Sequence, residues 1–255
     1  MTLPDTTNKH KELLYYLYRF RFLHTKHFQK LCNHKDPHRV KEWLSYLTNN
    51  GFITMDYSRK TVAASQQPAI YSLAPKARHI LKENKKCEIA VLQRIYKEKT
   101  RTERFIKKCL FIADMYLFFL AQKKQDEELS FFTESMLTTY DFFPEELPSA
   151  YIVVKKGVKT RRYFLEVFDA LTSLGRIRYK FRSYLEYRES GEWEANAGGE
   201  KFPALLFVFP SERIKKHIAH YAKAIFEKEY EEKLHLFLTT QERIHLENKL
   251  IWEKV

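Results

Sequence analysis

The stretch DPHRVKEWLSYLTNNG, Asp36 to Gly51, decides how the first part of the chain is read. Asp36 can accept hydrogen bonds at a helix N-terminus, and Pro37 suits the first helical position. Val40, Trp43, Leu44 and Leu47 recur at helical spacing, which turns one side toward a core. Asn49-Asn50-Gly51 ends the helix where a left-handed residue is needed. The other side carries His38, Arg39, Lys41, Ser45 and Tyr46. Cationic and hydrogen-bonding groups on the open side of a short, well-capped helix suit a DNA groove. The competing reading is a solvated helix face, and the flanking elements decide between the two.

Working outward, residues 8–20 give a first helix with Leu13, Leu14, Leu17 and Phe20 inward. Arg21 to Leu23 reads as a connection. Thr25 caps a second helix, Lys26 to Cys32, and Asn33 to Lys35 turns into the Asp36 helix. Phe52 to Asp56 and Ala69 to Leu73 read as two strands, joined by a polar loop that carries Arg59 and Lys60. Ala74-Pro75 opens a fourth helix to Lys82. Helix, helix, helix, strand, loop, strand, helix is the order of a winged helix-turn-helix over residues 1–83. The residues expected to face DNA are Lys26, His34, Lys35, His38, Arg39, Lys41, Ser45, Tyr46, Arg59 and Lys60. Arg59 and Lys60 would reach a minor groove or phosphates.

Charge supports a polyanion partner. The chain of 255 residues carries +13, and residues 1–86 hold 16 Lys and Arg against 6 Asp and Glu. The remainder holds 29 against 26, so the excess concentrates in the first third. Hydrophobic content of 44% and charged content of 30% mark an ordinary globular chain. Three cysteines, Cys32, Cys87 and Cys109, form neither a disulfide framework nor a zinc set, so a reducing, cytoplasmic location is expected. The N-terminal residues lack a signal-peptide pattern. The most apolar run, Cys109 to Ala121, is too short for a bilayer and contains Asp114, and no membrane partner is expected. Asp114 is expected to serve as a structural hydrogen-bonding residue.

Residues 84–128 read as a helical connector followed by a long apolar helix, Glu103 to Lys124. From 129 the period changes. Short strands are expected at Leu129–Phe132, Ala150–Val154, Arg162–Phe168, Ala204–Phe209 and Leu234–Leu238. Helices are expected at Leu174–Arg188, from Ser211 to about Glu227, and after Thr239-Thr240. That pattern is an α/β domain with a mixed sheet over 129–255, so the fold class is α+β. Ala204–Phe209 is apolar throughout and belongs in the sheet centre.

Glu166 and Asp169 end a strand just before a helix that bears Lys180. In PD-(D/E)xK nucleases two carboxylates hold Mg²⁺ and a Lys orients the attacking water. Here Ser149 stands where the first Asp is expected, and Phe168 where the Lys of Glu-x-Lys is expected. The plainer reading makes Glu166 and Asp169 a polar strand end.

At this point the chain resembles the replication-relaxation family of bacterial plasmids and mobile elements. The resemblance rests on Lys108–Leu117, on Leu147-Pro-Ser-Ala150, on Tyr163–Asp169 and on Lys180-Phe-Arg-Ser-Tyr184. Ala204–Phe209, Phe237-Leu-Thr-Thr240 and Ile251-Trp252 add to it. It implies a DNA-binding accessory protein of replication, transfer or transcription, in which a nuclease-like domain is kept as a scaffold.

Three functions follow. The first is a non-enzymatic protein that binds double-stranded DNA and needs no cofactor. The second is a Mg²⁺-dependent nuclease or nickase using Glu166, Asp169 and Lys180. The third is an interaction scaffold, homodimeric or bound to a relaxase or replication protein, with Trp193 and Trp252 as contacts.

Overall fold

Thr7 begins the first helix by accepting from the His10 amide, while the His10 ring accepts from the Thr7 amide. The computed structural model describes residues 4–56, 68–229, 234–245 and 251–255. The chain divides into two compact units, 1–117 and 118–255.

In the first unit, α1 (Asn8–Phe20) buries Leu13, Leu14, Leu17 and Phe20, as its spacing predicts. β1 (Phe22–His24), α2 (Thr25–Leu31), α3 (Pro37–Asn49), β2 (Ile53–Asp56) and β3 (Ile70–Leu73) follow. β3 lies between β1 and β2 and is antiparallel to both, with Leu23 opposite Tyr71 and Met55 opposite Tyr71. β1 falls on the stretch expected to be a connection. Its three residues are too few to show a strand period, and only pairing with the distant β3 defines it. Arg21 reaches it through a left-handed turn at φ 68°. The Arg21 guanidinium sits on buried Glu98 at 2.6 Å and over the Phe105 ring at 4.5 Å, which holds that unusual backbone in place.

His24, not Thr25, caps α2: its Nδ1 accepts from the His27 amide at 3.4 Å. A 3₁₀ turn (Pro75–Ala77) leads into the single turn α4 (Arg78–Leu81). The connector expected as helix is α5 (Ile89–Leu92) and a 3₁₀ segment (Ile95–Thr100). Ile89 and Tyr96 stay exposed, so too little apolar surface is buried here to sustain a longer helix. α6 (Glu103–Gln122) comes next, and the division between units falls inside it. Asp114 acts as a hydrogen-bonding residue: its Oδ1 accepts from His27 Nε2 at 2.9 Å. All three cysteines are free. Burial pushes the Cys32 thiol up to about 11 and Cys87 to about 12, which keeps both protonated and unreactive.

The second unit is a six-stranded mixed sheet. β4 (Glu128–Thr133), β5 (Ala150–Lys156) and β6 (Lys159–Val167) form an antiparallel meander, and β4 runs straight into one helical turn, α7 (Glu134–Leu137). α8 (Leu174–Glu189) and the short α9 (Glu192–Asn196) connect β6 to the parallel strand β7 (Ala204–Phe209). α10 (Glu212–Glu229) connects β7 to the parallel β8 (Leu236–Thr240). After α11 (Gln241–His245), β9 (Glu253–Lys254) pairs antiparallel at the edge. β8 starts two residues later than expected and absorbs Thr239 and Thr240, which are β-branched and fully buried in the sheet rather than capping a helix.

The core lies on one face of this sheet. Phe164, Leu205, Phe207, Leu236 and Leu238 meet Ile177, Phe181 and Tyr184 of α8 and Ile218, Ala222 and Ile225 of α10. Trp193, expected among contact residues, is buried in this core, and its indole N–H donates to the carbonyls of Glu200 and Lys201 at 3.1 Å. Among the described residues no helix is long and apolar enough to cross a membrane.

Candidate nucleic-acid interface and the Glu166 cluster

α2, the turn at residues 32–36 and α3 pack as a unit. The turn is tight because Asn33 adopts φ 47° and the His34 amide returns to the Gln29 carbonyl at 3.0 Å. His34 Nδ1 accepts from the Asp36 amide at 3.2 Å, and Asp36 Oδ1 accepts from the His38 amide at 2.8 Å. Val40, Leu44 and Leu47 are buried, so the opposite side of α3 faces outward.

The structure leaves Lys26, Lys35, His38, Arg39, Lys41 and Ser45 exposed, and His34 half-buried. Tyr46 differs: its ring stacks on His10 at 4.5 Å and its hydroxyl donates to the Asp5 carbonyl at 2.6 Å. It braces α3 against α1 instead of facing outward. Trp43 differs too. It was expected inward, and it is half-exposed between Lys9 at 5.7 Å, Arg39 at 5.8 Å and the His34 ring at 5.2 Å. Lys9, on α1, thus joins the α3 surface, and nothing in the local sequence signals that long-range approach. Arg39 pairs with Glu42 at 2.7 Å, but both side chains are mostly exposed, so the pair is weak and a phosphate can displace it. Arg59 and Lys60 lie outside the described residues.

The three residues considered for nuclease chemistry separate into two places. Glu166 is buried at 5% exposure on β6. One carboxylate oxygen accepts from the Tyr184 hydroxyl at 2.6 Å and lies 3.2 Å from the Lys180 ammonium. The other accepts from the Ser149 hydroxyl at 3.1 Å. Lys180 also donates to the carbonyls of Glu146 and Leu147. Burial first, and then the nearby Glu166 charge, drive the Tyr184 hydroxyl well above its ordinary pKa, so it remains a donor. Lys180 and Tyr184 are four residues apart on α8 and therefore reach Glu166 from one helix face.

Asp169 is not part of this group. Its carboxylate accepts from the Leu171 amide at 3.0 Å and the Thr172 hydroxyl at 2.9 Å, closing its own turn ahead of α8. A magnesium ion asks for several oxygen ligands in octahedral array. Here one buried carboxylate is already matched by an ammonium and two hydroxyl donors, so the residues do not fit that ion. Among the described residues no group of three or more His, Cys, Asp or Glu is arranged to hold a metal.

No curated protein matches the chain. A family model described as replication-relaxation matches residues 14–203, and this protein belongs to the replication-relaxation family.

Proposed function

We propose that this protein binds duplex DNA through its first unit, as an accessory factor in the replication or transfer of a plasmid or mobile element. The family supports the setting. The observation that carries DNA binding is α3: capped by Asp36, anchored by Val40, Leu44 and Leu47, with His38, Arg39, Lys41 and Ser45 exposed along its outer side. Three helices with a three-stranded antiparallel sheet in the order β1-β3-β2 support a winged helix-turn-helix. In that arrangement α3 enters the major groove and phosphates are held by Lys26, Lys35 and Lys9. Arg39 can fork onto guanine, and Ser45 can bond either strand's bases.

The Glu166 cluster supports a supporting role for the second unit. Its carboxylate ties β6 to α8 and to the segment before β5, and its donors are inward-facing.

Fluorescence anisotropy of a labelled duplex across a salt series tests the α3 reading. Binding weakens as salt rises, and Arg39→Ala with Lys41→Ala reduces the slope of log K against log salt by about 2, near 0.9 per lost phosphate contact. Unchanged affinity and slope in that double variant would remove α3 from the interface.

A further inference from the structure

The second unit carries only a small net charge, yet its cations are not spread evenly. Leu174 to Leu185 holds Arg176, Arg178, Lys180 and Arg182 with no Asp or Glu. Glu212 to Ile225 holds Arg213, Lys215, Lys216 and Lys223, with His217 and His220, against Glu212 alone. The acidic residues of these helices gather toward their C-terminal ends, at Glu186, Glu189, Glu227 and Glu229.

The two basic halves lie side by side. The Arg178 guanidinium donates to His217 Nε2, and Arg182 Nε donates to the Tyr221 hydroxyl at 2.7 Å. Each pair joins residues 39 apart, and the second pair sits one turn beyond the first on both helices. α8 and α10 therefore run parallel, and their positive N-terminal ends reinforce each other. Lys180 and Lys215 turn inward. Arg176, Arg182, Arg213, Lys216 and Lys223 are exposed, and Arg178 is half-exposed with its guanidinium 4.9 Å from the Tyr221 ring. The carboxylates at the margins are committed: Glu146 to Arg176, and Glu212 and Glu253 to Lys215 and Arg243.

We propose that α8 and α10 form a second surface for duplex nucleic acid, held entirely by residues 174–223 and independent of whether α3 is the groove element. A solvated helix face normally mixes signs so that its charges offset one another. Here an arginine faces a histidine across the helix pair and the flanking lysines repel both, which is stable against a polyanion and costly without one. Along a helix that rises 1.5 Å per residue, Arg178 to Arg182 spans about 6 Å and Lys216 to Lys223 about 10 Å. A DNA strand presents a phosphate about every 3.4 Å of axis, so these cations meet every second or third one. An anionic membrane fits less well, because the apolar sides of both helices are already spent on the sheet and no apolar face remains to enter a bilayer.

The test uses the full chain and a duplex of about 30 base pairs with photoreactive groups along both backbones, followed by peptide mapping. Cross-links within Arg176–Arg182 and Arg213–Lys223 are expected. Arg213→Glu, Lys216→Glu and Lys223→Glu together should abolish them and weaken binding at least tenfold in low salt. The milder triple Ala change should flatten the salt slope by about 2.7, near 0.9 per phosphate. All three side chains are exposed, and circular dichroism checks that each variant folds. Cross-links confined to α3, with unchanged affinity in both triple variants, overturn this surface and leave the α3 reading intact. Cross-links confined to α8 and α10 uphold it and remove α3. No cross-links, with binding to phosphatidylserine vesicles that the triple variants lose, reassign the surface to a membrane and overturn the proposal, as does binding to neither.

Discussion

Glu166 shows how little a residue type says until its neighbours are known. A carboxylate at the end of a strand beside a lysine-bearing helix reads as metal chemistry. Buried against Lys180, Tyr184 and Ser149 it is a cross-brace whose charge is matched. Such a pair gains little net stability when formed, because desolvation offsets the attraction, but removing one partner strands the other. Lys180→Met alone is therefore expected to cost about 3–5 kcal/mol in urea unfolding, as it leaves Glu166 buried without a cation. Adding Glu166→Gln should recover at least half of that loss, since the amide oxygen still accepts from Tyr184 or Ser149. A double variant as unstable as the sum of its singles would show that the two side chains do not act as a pair. The same spacing carried a legible hint. Lys180 and Tyr184, four apart on a helix that follows Glu166, place an ammonium and a hydroxyl at one point.

Among the elements, α2 carries the clearest pH dependence. Its cap is the His24 ring, stacked on His27 at 3.6 Å. Burial, and then the neighbouring His27, push His24 down to about 4. The folded ring thus stays neutral where the unfolded one, with an ordinary value near 6.5, takes up a proton. Stability is whole above that value and is lost as pH falls from about 6.5 toward 4, by roughly 2 kcal/mol. His24→Asn keeps a capping acceptor without the titration, so thermal unfolding of that variant should fall less between pH 7 and pH 5. An equal fall in both proteins would place the acid sensitivity elsewhere, for example at His10 or His235, which burial also lowers. Elements with local signals were legible: the Asp36 cap and Pro37 of α3, the glycine turn at Gly157 between β5 and β6, and the unbroken apolar β7. β1 was not, because three residues become a strand only by pairing with β3, about fifty positions away. The bare run of cations on α8 and α10 was hidden for another reason. A net charge summed over the whole second half cancels them against glutamates at the far ends of the same helices.

At the scale of the molecule the excess of +13 sits in two different settings. In residues 1–86 it is a broad surplus, whereas in the second unit it is a sorted face on a nearly balanced domain. A broad surplus draws DNA to the chain from a distance, and sorted faces fix where it rests. Tryptophan reports on which unit is touched. Trp43 is the tryptophan of the first unit, half-exposed and flanked by Lys9 and Arg39. Trp193 is 2% exposed, and its N–H is already engaged by two carbonyls. Duplex lying along α3 would draw Lys9 and Arg39 toward phosphates and change the surroundings of the Trp43 ring, leaving Trp193 undisturbed. Emission should therefore fall on adding duplex in low salt and return as salt releases it. Trp43→Phe should abolish that change, with little loss of stability because the site is partly exposed. A salt-reversible signal that persists in Trp43→Phe would instead come from the second unit, where Trp252 is the partly exposed indole, and would move the principal DNA contact away from α3.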